Sequence, residues 1–255
     1  MASRQLTSKI PLMHIESFGE TDVGMKRENN QDSFLIKPDL GLFVLADGMG
    51  GHNGGEVASS LAVQCAHEVV ERRKPQLKKI NYRELIIEIF EESCRRIYDM
   101  SQKSTGLRGM GTTMVVCLIH EDTLYIGNVG DSRAYLLTKE GLWQMTEDHS
   151  LMYEQLRAGL ITEKDVPFFV SKNMITRSVG YEPTVNCDIL EKKLEPGDRV
   201  LLCSDGLSGL VTDRRISELV WSGPEDKVVP HLIAEAKKNG GDDNVTVILL
   251  CAKAV

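Results

Sequence analysis

Four apolar runs in this chain begin or end on an aspartate set among glycine, serine or asparagine. Leu42-Phe43-Val44-Leu45-Ala46 leads into Asp47-Gly48-Met49-Gly50-Gly51-His52, Tyr125 to Gly130 leads into Asp131, Val200 to Ser204 leads into Asp205-Gly206, and Asp242-Asp243-Asn244 opens the run from Val245 to Cys251. Short apolar runs bounded by turn residues read as buried strands. A single Asp-Gly after a strand is ordinary turn chemistry. Carboxylates gathered from several strand ends are different, because they are what a hard divalent cation needs: Mg²⁺ and Mn²⁺ take oxygen ligands and keep several waters. Glycine beside such an acid lets a ligand approach the main-chain carbonyls. The constellation therefore reads as a metal site carried on the ends of strands.

The remaining segments supply layers for those strands. Phe18 to Val23 and Ser33 to Ile36 read as two strands joined by a polar connection that holds Arg27 and Asp32. After the Gly-rich loop, Val57, Leu61, Cys65 and Val69, with Ala58, Ala62, Ala66 and Val70 beside them, mark a helix ending near Lys74-Pro75. A second helix is expected from about Tyr82 to Met100. Thr112 to Ile119, Leu124 to Val129 and Arg133 to Leu137 are three β-rich runs separated by turns, read as antiparallel. From Asp148 to Thr184 the pattern weakens into a surface flap, with Ser150 or Asp148 capping a short helix through Leu160 and Thr162 starting another. Further strands at Cys187 to Leu194 and Arg199 to Ser204 are followed by two helices, near Asp213 to Trp221 and Pro224 to Lys238. Strand-rich segments interrupted twice by a helix pair predict an α+β fold, a four-layer α-β-β-α sandwich of two stacked antiparallel sheets flanked by helices. The expected organisation is an N-terminal arm at 1–15, loose or an added edge strand, and one domain at 16–255 with its flap at about 148–184.

With 255 residues and 42% hydrophobic content, the chain can bury a substantial core in one domain. A net charge of −7 and the lack of a long Lys/Arg stretch argue against nucleic acid as a partner. No apolar segment approaches spanning length and Met1 to Pro11 lacks the apolar core of a signal peptide, so no membrane role is expected. The six cysteines show neither CxxC spacing nor zinc-type pairing with histidines. Five sit at apolar helix or strand positions, which fits small buried thiols in a reducing cytoplasm. Cytoplasmic location and a monomeric state are the expectations.

The motifs coincide, in order, with those of a known family. Gly24 with Arg27-Glu28-Asn29-Asn30-Gln31-Asp32, Asp47 to His52, Gly111-Thr112-Thr113, Gly130-Asp131-Ser132-Arg133, Asp148-His149-Ser150, Cys203-Ser204-Asp205-Gly206-Leu207 and Gly241-Asp242-Asp243-Asn244-Val245-Thr246 resemble the metal-dependent serine/threonine protein phosphatases of the protein phosphatase 2C type, especially compact bacterial members. The resemblance covers about Phe18 to Ala252. It implies two Mn²⁺ or Mg²⁺ ions at one end of the sandwich, with Asp47 bridging both, the Gly48 carbonyl on one, and Asp205 and Asp243 on the other. It places Asp32 behind them through water, and Asp131 with Asp205 at a possible third ion. The implied reaction is hydrolysis of phosphoserine and phosphothreonine on proteins by water activated between two cations, without a protein nucleophile. Arg27, a planar fork of donors, suits phosphate oxygens. His52 is the candidate general acid for the poorly leaving alkoxide, and His149 is read as ordering the flap. Gln31 stands where many relatives carry glutamate. Two rival readings remain: a phosphatase-like regulatory or phosphoprotein-binding module with little turnover, and a structural sandwich whose aspartates only shape turns.

Overall fold

The alternating apolar pattern of the strands becomes three separate cores in the computed structural model, which describes residues 13–50, 54–169 and 174–255. In chain order the strands are β1 (Met13–Asp22), β2 (Asp32–Lys37), β3 (Leu42–Met49), β4 (Gly111–Thr112), β5 (Met114–His120), β6 (Thr123–Val129), β7 (Arg133–Thr138), β8 (Gly141–Gln144), β9 (Asp188–Lys193), β10 (Arg199–Cys203) and β11 (Val245–Ala254). The helices are α1 (Gly54–Arg73), α2 (Tyr82–Lys103), α3 (Leu151–Arg157), α4 (Asp205–Ser208), α5 (Asp213–Trp221) and α6 (Glu225–Lys238). One sheet has the order β1-β11-β10-β7-β8, the other β2-β3-β5-β6-β9, with β4 added beside β3. The neighbouring strands in both sheets run antiparallel.

Because successive side chains point to opposite faces of a strand, each central strand contributes to two cores at once. Phe43 and Leu45 of β3 meet Leu202 of β10 and Ile248 of β11 between the sheets. Leu42, Val44 and Ala46 face the other way and pack under α1 and α2 with Ala62, Val69, Ile86 and Phe90. Leu201 and Val247 likewise pack under α5 and α6 with Ile216, Leu232 and Ile233. Burial on both faces explains why β3, β10 and β11 read as nearly continuous apolar runs. The expected four-layer sandwich is the observed one.

Local differences have physical causes. β1 begins at Met13, inside the stretch expected to be a loose arm or an added edge strand, and pairs at the sheet edge with β11 from Met13↔Ala254 to Asp22↔Val245; residues 1–12 lie outside the described residues. The first two strands do not form a hairpin, since β1 pairs with β11 in one sheet and β2 with β3 in the other. Similarly, β5 and β6 pair, but the chain then crosses at Gly130-Asp131-Ser132 and β7 joins β10 in the opposite sheet. Period-2 alternation reports which face of a strand is buried, not which sheet it enters, and so it could not separate these cases. Ser150 caps α3, accepting from the Tyr153 amide, but the helix stops at Arg157. No second α-helix starts at Thr162. Asp165 accepts instead from both the amide and the hydroxyl of Thr162, closing a turn ahead of a 3₁₀ turn at Val166–Phe168.

Candidate active site

The strand ends deliver their acids to one cavity. Asp47 lies near the end of β3, Asp131 follows β6, Asp205 opens α4 just beyond β10, and Asp243 precedes β11. All four, with Arg27 and the Gly48 backbone, line a cavity of about 270 Å³. The local structure fixes each one. The Asp47 amide donates to Thr113 Oγ1 at 3.0 Å, and its carbonyl accepts from the Thr113 amide and Thr112 Oγ1, both at 2.8 Å. Gly48 follows where nothing larger fits, because a Cβ there would lie 2.0 Å from the Gly55 carbonyl oxygen and 2.6 Å from that of Gln31. Asn244 accepts from the Gln31 amide and donates to the Val23 and Asn29 carbonyls, tying the Arg27 loop to the start of β11. Across that junction Arg27 Nη2 meets Asp243 Oδ2 at 2.7 Å.

Asp32 sits one layer deeper, 8% exposed. Its Oδ2 accepts from Ser204 Oγ at 2.8 Å and Thr246 Oγ1 at 2.6 Å. Its Oδ1 and the Oδ1 of Asp205 are buried without a hydrogen-bond partner. Orphaned acceptors of this kind are rare and call for an explanation.

The electrostatics supply it. Burial, and then the charges of Asp32, Asp205, Asp131 and Asp243, hold the Asp47 carboxyl well above the usual carboxylate range. Burial, followed by Asp205 and Asp148, pushes Asp131 up to about 7. Burial raises Asp32 to about 6 despite its two hydroxyl donors, and burial with Asp243 raises Asp205. Among the described lining residues Arg27 is the single cation against these acids. Like charges gathered this closely resist ionising together unless positive charge enters. The oxygen donors of the four acids and the Gly48 carbonyl, with their orphaned acceptors, fit Mn²⁺ or Mg²⁺, which take oxygen ligands. Among the described residues no three His, Cys, Asp or Glu side chains yet converge into a cation cage; Asp243, for one, is turned to Arg27.

The structure thus brings together Arg27, Asp47, Gly48, Asp131, Asp205 and Asp243, with Asp32 behind them. His52 lies outside the described residues, as does Gly51. His149 is buried and bonded to Gly130 rather than lining the cavity. The sequence reading gave no role to Thr113, Ser204, Asn244 or Thr246, although all four stand inside the motifs it quoted.

Residues 25–227 match the family model described as protein phosphatase 2C. The serine/threonine phosphatase stp of Listeria monocytogenes serotype 4b (strain F2365) is 36% identical over 242 residues, spanning 93% of this chain and 95% of that protein. The crystal structure of the Mycobacterium tuberculosis serine/threonine phosphatase PstP/Ppp superposes with a TM-score of 0.87 at 30% identity, covering 94% of this chain and 99% of that one. A structure of the catalytic domain of the serine/threonine protein phosphatase PstP in complex with two manganese ions gives a TM-score of 0.85 at 30% identity, over 94% of this chain and 99% of the other.

Proposed function

The chain belongs to the protein phosphatase 2C family, and from that membership we propose that the acidic cavity is its catalytic centre, with Asp47, the Gly48 carbonyl, Asp205 and Asp243 holding the ions. The protein is a metal-dependent serine/threonine protein phosphatase that uses two Mn²⁺ or Mg²⁺ ions and acts on phosphoproteins. One observation carries the assignment of residues: acids from four strand ends share one cavity, and buried Asp205 Oδ1 has no hydrogen-bond partner.

When bound, the ions supply Lewis-acid charge and make water acidic enough to attack phosphorus near neutral pH. The chain's own residues do the rest. Arg27, half-exposed and at present paired with Asp243, offers its guanidinium fork to the phosphate oxygens. Asp32, fixed by Ser204 and Thr246, keeps its Oδ1 free to order water behind the main acids. Asp131 with Asp205 is the natural pair for a third ion. His52 is assigned the proton donation to the departing serine or threonine Oγ. The cysteines for which the structure gives a state are free thiols, which supports work in a reducing cytoplasm. No helix among the described residues is long and apolar enough to cross a membrane. A monomer is the working oligomeric state.

The test is hydrolysis of a phosphothreonine peptide with Mn²⁺, with Mg²⁺ and with chelator, alongside Asp47→Asn, Asp205→Asn and Arg27→Ala. Turnover should require the cation. Each Asp→Asn change should reduce kcat by at least about 100-fold, and Arg27→Ala should lower kcat/KM by about 10–100-fold, the loss of one charge-assisted contact. Cation-dependent turnover that survives Asp47→Asn and Asp205→Asn in folded protein would overturn the residue assignment.

A further inference from the structure

The glycine that precedes Asp131 is held from two sides by a single residue. The Gly130 amide donates to His149 Nδ1 at 3.1 Å, and the Gly130 carbonyl accepts from the His149 amide at 3.0 Å. Gly130 has φ +104°, and a Cβ on it would stand 2.6 Å from Thr113 Cβ. Its backbone is therefore set by its surroundings and not by local preference. The next residue is Asp131, whose side chain lines the acidic cavity.

His149 is 5% exposed, and its hydrogen bonds specify one tautomer. Accepting at Nδ1 leaves the proton of the neutral ring on Nε2, which donates to Asp188 Oδ2 at 3.1 Å. Arg177 Nη1 lies 3.2 Å from Nε2 and 3.2 Å from Asp188 Oδ1. Guanidinium has no acceptor, so its bond goes to the carboxylate, and Asp188 is pinned between Arg177 and the imidazole. The His149 carbonyl in turn accepts from the Thr176 amide at 2.8 Å, one residue beyond Ile175 of the cavity wall.

We propose that His149 is a positioning residue for the cation site at Asp131: as its Nε2-protonated tautomer, oriented by Asp188 and Arg177, it clamps the Gly130 peptide and aims Asp131 at Asp205. The proposal rests on the assignment of Asp131 as an ion ligand made above. His149 touches no substrate and no ligand, so its effect appears in ion affinity. Groups that orient ligands from behind typically change metal affinity by about 10–100-fold when removed.

The experiment is calorimetric titration of the chelator-stripped protein with Mn²⁺, for wild type, Asp131→Asn, His149→Ala, His149→Asn, His149→Gln and the Asp131→Asn/His149→Ala double variant. Circular dichroism monitors folding throughout. Asparagine places its Oδ1 where Nδ1 stands, whereas glutamine places its polar atoms one bond further out. Asp131→Asn should remove the weakest Mn²⁺ step and leave the tighter steps alone. His149→Ala should weaken that same step by about 10-fold or more, with no added loss in the double variant. His149→Asn should bind close to wild type, and His149→Gln should resemble alanine. A wild-type isotherm for folded His149→Ala, with the weakest step lost in Asp131→Asn, overturns the positioning role alone. An unchanged isotherm for Asp131→Asn overturns the ligand assignment, and the proposal with it. Where the alanine variant does not fold, equal isotherms for His149→Asn and His149→Gln overturn the proposal.

Discussion

Asp205 carries opposing demands in one side chain. It is buried and feels the charge of Asp243, so its ionised form is disfavoured until positive charge arrives. A change to asparagine removes one charge from a cluster whose members repel one another. In chelator, Asp205→Asn should therefore be more stable than wild type by about 1 kcal/mol, the scale of one carboxyl shifted by one pH unit. With Mn²⁺ at a hundredfold excess over Kd the order should reverse, because wild type gains about 3 kcal/mol by mass action and the variant little. Thermal unfolding in the two buffers checks the change of sign; the same order in both would refute the cation role of Asp205. At this scale the acids were legible, because residue type and strand-end position announce them. The hydroxyls that hold Asp32 were not, since Ser204 and Thr246 lie 172 and 214 positions away along the chain.

Elements are fastened by a few charged contacts at their ends. Glu225 begins α6 and accepts from Arg199 Nη2 of β10 at 2.8 Å and Lys253 Nζ of β11 at 2.6 Å. Arg199 also donates to the Val220 carbonyl of α5 and stacks 4.3 Å from the Trp221 ring. Burial pushes the Glu225 carboxyl up, but Lys253 and Arg199 outweigh it and hold the group below the usual 4.5. The sign follows from linkage. A carboxyl with a depressed folded-state pKa contributes its stability above the unfolded value and loses it as pH falls through the folded one. Glu225→Gln should thus cost about 2 kcal/mol near pH 7, and the gap to wild type should narrow as pH falls below the usual 4.5 and through the lowered folded value; a series of denaturant titrations from pH 7 downward measures both. Helices α1, α2, α5 and α6 were legible, and α5 appears with the predicted bounds, whereas the single turn of α4 was not. Sheet membership of β2 and β7 was not, because it is decided by long-range pairing.

For the whole molecule, stacking the sheets is what makes the site. The β6–β7 crossover carries Asp131, and β3 carries Asp47 near its end on one sheet while Asp205 follows β10 and Asp243 precedes β11 on the other. The cavity therefore lies across both sheets, and neither sheet alone would hold it. This was visible in sequence as four acids on four strand ends, whereas their meeting point depends on the order of the strands. The most direct measurement of that account is an anomalous difference map at the manganese edge from crystals grown with Mn²⁺. Peaks among Asp47, Asp205 and Asp243, absent from Asp47→Asn crystals, are the predicted result; peaks confined to other parts of the surface, with this cavity holding none, would contradict it.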